Sequence, residues 1–222
     1  MAPEGHAGIP SPARYAVLPE RPRREQHRAA TLRARVRSLL DAYVTPERLS
    51  TFDESEQYDL ELFRMLGNAG LIGLEVDSHT GLPSHVSQTV VLEELGAGAT
   101  SMAVSMVVQY MGVQLLAAHG TTGQKQRFLE PLKRAEARMS FALSEPGGGT
   151  DVARAMRTTA VRRADGSYTL AGQKKWIGGA MDADFLVVLA RTSSHERSAI
   201  DGITTFLVPR NSPGIRTVEI PT

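Results

Sequence analysis

The chain contains no cysteine, which removes disulfides, thiolate nucleophiles and Cys-ligated metals from consideration together. It has little net charge: 25 basic and 24 acidic side chains leave +1, so no nucleic-acid or polyanion signature is present and no nucleic-acid partner is expected. Lysine is scarce, with only Lys125, Lys133, Lys174 and Lys175 among the basic residues. No apolar run reaches the roughly 18 residues that span a bilayer, and no secretory h-region opens the chain. A cytoplasmic location without membrane attachment is the expectation. The usual chemical motifs are also missing. The six histidines are scattered without ligand spacing, and no His-Glu-x-x-His occurs, so no metal is expected. The glycines at 147–149 are followed by Thr150-Asp151 rather than the Lys-Ser/Thr of a P-loop. Gly96-Ala-Gly98 lacks the strand and third glycine of a dinucleotide fingerprint. Ser140 and Ser144 have no nucleophile-elbow context.

What is there fits an ordinary globular chain: hydrophobic residues make up 41% and charged residues 22% of 222 positions, enough for a sizeable core. Residues 1–24, with five prolines, read as a disordered leader. Helical spacing then runs from 25 to 43 through Leu32, Val36, Leu39, Leu40 and Tyr43. Thr45-Pro46 is an N-cap with a first-turn proline. Asp53 and Glu56 form a capping-box-like pair before a helix bearing Tyr58, Leu62, Phe63 and Leu66, ended by Gly67 or Gly70. Further helices are expected over 84–95 and, capped by Thr100, over 101–118. The latter is apolar almost all round and should be buried on all sides, its methionines serving as core. Glu93-Glu94 point to different faces and suit salt bridges. A charged helix over 123–135 should be cut short by Pro131.

Near residue 139 the hydrophobic period changes from 3.6 to 2. Strands are expected over 156–163, 168–173, 174–178, 184–191 and 203–209, with Asp165-Gly166 as a hairpin turn. Helices first and strands afterwards predict an α+β multidomain chain: an all-α N-terminal helical domain over 25–138, then an antiparallel β-barrel-like middle domain over 139–222. At the junction, residues 139–152 run from a strand into a proline and three glycines. Backbone N–H groups bared there, beside a hydroxyl, suit an anion.

Phe141-Ala-Leu-Ser-Glu-Pro-Gly-Gly-Gly-Thr-Asp151 closely resembles a signature of the acyl-CoA dehydrogenase family, and Asp165-Gly-Ser-Tyr-Thr-Leu-Ala-Gly-Gln-Lys-Lys-Trp-Ile177 resembles its second signature. Gly70-Leu-Ile-Gly-Leu74, Glu93-Glu-Leu95 and Gly120-Thr-x-x-Gln-Lys-x-Arg127 are similar to the family's helical domain. The resemblance implies FAD as cofactor and α,β-dehydrogenation of an acyl thioester, carried by CoA or by a carrier protein, with an electron-transfer flavoprotein as acceptor. It implies that Phe141, Leu143 and Ser144 hold the flavin pyrimidine edge, that Gly149 and Thr150 sit beside the pyrophosphate and the thioester, and that Trp176 packs on the isoalloxazine. Ser144 and Thr150 are thereby also substrate-facing. The family usually has Thr after Trp-Ile, facing flavin N5; here Gly178 stands there, without the hydroxyl but with its N–H and with added room. The family's Pro-x-x-Tyr-Gly-Gly turn is eroded to Val76-Asp-Ser-His-Thr-Gly81. The catalytic glutamate of the family belongs to a C-terminal helical domain that these 222 residues do not match, so no residue inherits the base by motif. The expectation is a partial subunit in a homo- or hetero-oligomer with a chain that supplies that domain. Two further expectations are a flavin monooxygenase of the same fold and a catalytically inactive assembly partner.

Overall fold

The computed structural model describes residues 23–74, 82, 84–148, 150–194 and 198–220. Nearly all of the leader and the whole of the eroded turn at 76–81 lie outside them. The helical half comprises α1 (Arg23–Tyr43), α2 (Pro46–Glu54), α3 (Leu60–Asn68), α4 (His85–Gly98) and α5 (Thr100–His119). It closes with a short α6 (Thr122–Gln124), a π-helical turn (Lys125–Leu129) and α7 (Glu130–Lys133).

The sequence rules account for most of the helix starts. Thr45 caps α2 with its hydroxyl on the Arg48 N–H, and Pro46 occupies the first turn. Ser84 caps α4, accepting from the Ser87 N–H. Two expected caps differ. Asp53 lies inside α2; α3 is capped by Asp59, which accepts the Leu62 N–H at 2.9 Å. Asp59 wins because Arg48 holds its carboxylate in place, with Nε donating at 2.9 Å and Nη2 at 2.8 Å. Thr100 is already inside α5; Ala99 precedes it, and the Thr100 hydroxyl donates back to the Gly96 carbonyl. Pro131 does not cut the last helix short. The chain goes over to i→i+5 bonding, Glu130 N–H to Lys125 C=O, and so passes a proline that has no N–H for the usual ladder.

Glu94 on α4 is 6% exposed and ties that helix to α1 by accepting from both Arg33 and Arg37, while Glu93 takes the other Arg33 nitrogen. α5 is the central helix. It is long and apolar enough to cross a membrane by length and composition alone, which the run-length expectation missed because Gln109 and Gln114 interrupt it. It is not buried on all sides. Met102, Met106, Tyr110, Val113 and Leu116 face the core, whereas Val104, Val107 and Met111 form an exposed stripe at 64%, 43% and 41%.

The β half is one open, mixed five-stranded sheet built from β1 (Met139–Ala142), β2 (Thr159–Arg162), β3 (Tyr168–Ala171), β4 (Phe185–Arg191) and β5 (Ile203–Pro209), with a four-residue helix α8 (Val152–Ala155) before β2. The expected helices-then-strands architecture holds, but the pairing is not purely antiparallel. β1 runs parallel to β4 over Met139↔Phe185 to Ala142↔Val188, and β2 meets β4 in parallel at Thr159↔Arg191. β2–β3 and β4–β5 are antiparallel. β4 is central because Phe-Leu-Val-Val-Leu can be buried on both faces, the pattern of a strand with neighbours on each side. The β2–β3 hairpin turns at Asp165-Gly166 as expected, with Gly166 at φ 84 and Asp165 accepting the Ser167 N–H.

One core runs across both halves. Phe185 and Val187 of β4 and Met139 of β1 are buried in the same cluster as Phe63, Leu66, Leu95, Met106 and Leu116. The opposite sheet face forms a smaller cluster of Ala142, Ala183, Leu186 and Val188. Gln109, 3% exposed, joins α5 to β1 by donating to the Met139 carbonyl and accepting the Met139 N–H, both at 3.0 Å. The approach is close enough that a methyl group on Gly112 would collide with the Met139 sulfur.

Candidate functional site

β1 ends at Ala142 and its chain continues through Leu143 and Ser144 into Glu145, Pro146 and the glycines. The second loop, 172–178, arrives beside it from β3. It is not the strand expected over 174–178. Trp176 has φ 62, a left-handed conformation that breaks any β ladder and that non-glycine residues adopt at a cost of about 1–3 kcal/mol. Neighbouring structure must impose it, and four hydrogen bonds do. The Lys175 N–H donates to the Ser144 carbonyl at 2.9 Å. Lys174 Nζ donates to the Leu143 carbonyl at 3.1 Å and to Glu145 Oε1 at 2.8 Å. The Ser140 hydroxyl, buried on the face of β1 away from the main core, donates to the Gly178 carbonyl at 2.9 Å.

Glu145 anchors this junction from below. It is 6% exposed, and its two oxygens also accept the N–H groups of Arg157 (2.6 Å) and Thr158 (3.0 Å). Burial pushes its carboxyl up. Hydrogen bonds from Lys174 and from the backbone N–H groups of Arg157 and Thr158 outweigh that and hold it down at about 2. The expected strand over 156–163 is correspondingly shorter, beginning at Thr159, because 157–158 turn their N–H groups to this carboxylate.

Phe141, Leu143, Ser144, Trp176 and Gly178 are thus brought to one place. Phe141 sends its ring to the helical side, where it packs on the main core, so only its backbone borders the loops. The Ser144 hydroxyl has no partner among the described residues. Trp176 is 64% exposed, its indole contacted by the Lys175 ammonium 4.4 Å from the ring centre. Gly178 is open: an added Cβ would meet nothing within 4 Å. Gly149 lies outside the described residues. Among the described residues, the exposed Thr150 hydroxyl has no partner and no hydrogen bond joins it to the other five; its neighbour Asp151 caps α8 through the Arg154 N–H. Both carboxylates of the glycine loop are therefore engaged, Glu145 as above and Asp151 with Arg154 at 2.6 Å. The two motifs include Glu145 and Lys174 without pointing to a role for either, and the sequence offers Ser140 only as a nucleophile that its context sets aside. The apparent signal was available: a buried-side serine and an acid–base pair within two motifs that meet.

An open groove of about 550 Å³ lies elsewhere, between the π-helical turn and β5, lined by residues that include Thr121, Arg127, Phe128, Thr205 and Leu207. It contains none of the expected site residues and only one cation, and its wall borders the helical core instead of the cradle.

A sequence profile described as "Acyl-CoA dehydrogenase, N-terminal domain" matches residues 25–136, and one described as "Acyl-CoA dehydrogenase, middle domain" matches 140–222. The short-chain specific acyl-CoA dehydrogenase of Bos taurus mitochondria is 37% identical over 172 residues, 73% of this chain and 39% of that protein. Isobutyryl-CoA dehydrogenase of the same organism is 31% identical over 169 residues, again 39% of its length. The chain spans about two fifths of these relatives. Among solved structures, a glutaryl-CoA dehydrogenase from Mycobacterium smegmatis in complex with FADH2 superposes with a TM-score of 0.76 at 31% identity, over 87% of this chain and 48% of that one.

Proposed function

The chain belongs to the acyl-CoA dehydrogenase family, matching its N-terminal and middle domains, and from that premise we propose that it is part of an FAD-dependent oxidoreductase for the α,β-dehydrogenation of an acyl thioester. The observation that carries the reading is the meeting of the two loops around free groups of the kind this cofactor needs. Ser144 and Thr150 offer unpartnered hydroxyls, Gly178 offers an open backbone, and Trp176 offers an exposed indole held in place by strained backbone. These residues fit FAD: hydroxyl and N–H donors suit the pyrimidine edge and phosphate oxygens, and the indole suits a flat aromatic system. When bound there, FAD supplies the acceptor for the hydride lost from the β-carbon.

The chain's own contribution is binding and orientation. Ser144 and the backbone of 141–143 would hold the pyrimidine edge, and Thr150 would border the pyrophosphate and the thioester. Trp176 would cover one ring face, and the Gly178 N–H would be available to the flavin. By the family resemblance the α-proton would leave to a carboxylate outside these two domains, and within the glycine loop Glu145 and Asp151 are both engaged. A C-terminal helical domain supplies that base, and an electron-transfer flavoprotein takes the electrons onward. The exposed stripe of Val104, Val107 and Met111 on α5 supports a helical surface docking on this half.

Trp176 is the only tryptophan, so its fluorescence reports the site directly. FAD titrated into the chain should quench it saturably, and butyryl-CoA added to the chain together with a C-terminal helical domain should bleach the flavin absorbance without oxygen. No quenching up to millimolar FAD sinks the cofactor reading; quenching without bleaching by any acyl thioester sinks the dehydrogenase reading and leaves an assembly role. The open space at Gly178 also favours a second reading, an oxygen-activating flavin monooxygenase. Oxygen consumption by reduced flavin without an acceptor protein distinguishes the two.

A further inference from the structure

We propose that Glu145 and Lys174 are a positioning pair that locks the two loops into one unit and so sets where Ser144 presents its hydroxyl to the cofactor. The inference rests on the functional reading above and assigns the pair a role within that site. Lys174 donates to Leu143 C=O and Glu145 Oε1, the residues on either side of Ser144, and the next backbone N–H, that of Lys175, takes the carbonyl of Ser144 itself. Ser144 is therefore gripped at three consecutive residues by two consecutive residues of the other loop. Its hydroxyl is left free because every grip is on a carbonyl or on the neighbouring carboxylate.

The arrangement is built, not incidental. Lys174 is 11% and Glu145 6% exposed at the side chain. A buried ammonium and carboxylate persist only when paired and hydrogen-bonded. Here the remaining lone pairs of Glu145 are filled by Arg157 and Thr158 N–H groups, which extends the lock to the start of β2. Among the described residues of the β half the other ion pair, Asp151–Arg154, lies on exposed side chains and joins residues of one turn. Lys174–Glu145 joins residues 29 apart. The same lock sets Trp176, because the left-handed turn at 176 begins directly after the two lysines. Loss of the pair loosens both walls of the cradle at once.

The test uses the full chain and the Trp176 fluorescence titration with FAD, together with amide exchange. In Lys174→Met the Kd for FAD should rise about ten-fold, as expected for a lost hydrogen bond to a charged group. The Lys175, Arg157 and Thr158 amides should exchange faster, while amides of α4 and α5 stay as in the wild type. Arg134→Met, which breaks an exposed pair with Glu136, should change neither. Faster local exchange with an unchanged Kd makes the pair merely structural and overturns the proposal, as does an unchanged Kd with unchanged exchange. Should Lys174→Met fail to fold, the wild-type chain decides: FAD should protect the Lys175, Arg157 and Thr158 amides together, and protection of Lys175 alone overturns coupling through the pair. A wild-type chain that shows no quenching at all overturns the functional reading and this inference with it, an outcome distinct from a wild type that binds FAD and a variant that binds it equally well.

Discussion

At the scale of single residues, Gly178 and Glu145 are the informative positions. Gly178 has an ordinary φ and empty space where a side chain would stand, so the family's threonine is missing without any steric reason. Gly178→Thr should fold with an unchanged denaturation midpoint and, by adding one hydrogen bond to the flavin, tighten FAD about five-fold, roughly 1 kcal/mol. A variant that binds FAD less well would show that the space is used by something other than that hydroxyl. Glu145 makes a pH prediction. Its carboxyl lies at about 2 in the folded chain against 4.5 for a free glutamate. The stabilisation it gives is present in full above pH 4.5 and is lost as the pH falls through 2, on the order of 3 kcal/mol. Glu145→Gln should therefore be less stable than wild type at pH 6, with the gap closing between pH 4.5 and 2; urea melts across that range check it.

At the scale of elements, the clamp between α5 and β1 is the critical joint. Gln109 completes the backbone bonding of Met139 on the side of β1 away from β4, in the manner of a neighbouring strand. Gln109→Leu leaves a buried N–H and C=O unpaired and should cost about 2–4 kcal/mol, measured by urea unfolding followed by both helical and Trp176 signals. The two signals should move together, because α5 and β1 share one core. The periodicity of α5 announced a core helix but not this role, since the bond joins residues 30 apart and no local pattern encodes it. The π-helical turn at Lys125–Leu129 is similar: Pro131 marks a broken ladder in the sequence, and only the packing of Phe128 on Phe185 and of Leu129 in the core shows that the helix continues through it.

At the scale of the whole molecule, the helical and β halves are cemented by apolar packing, and α5 then presents its remaining apolar face outward. Val104, Val107 and Met111 recur at three- and four-residue spacing on that face. Val104→Lys with Met111→Lys should lower the apparent mass in sedimentation while leaving circular dichroism unchanged. An unaltered mass would show that the stripe is not a contact surface. The same argument explains why an apolar helix read as wholly buried is only partly so: hydrophobicity shows that a face wants cover, and it does not show which body provides it.

The sequence alone determined the order of helices and strands, the turn at Asp165-Gly166, the two motifs and the Thr45 cap of α2, because each depends on residues a few positions apart. Tertiary structure decided what those motifs do to each other. It made the sheet mixed, by laying β1 parallel to a strand more than forty residues on. It turned the expected strand at 174–178 into a strained loop and placed Trp176 in the open. It also paired Lys174 with Glu145 across 29 residues. Such contacts are set by how the chain closes on itself, where burial and hydrogen-bond satisfaction over the whole core outweigh the local preference of any one segment.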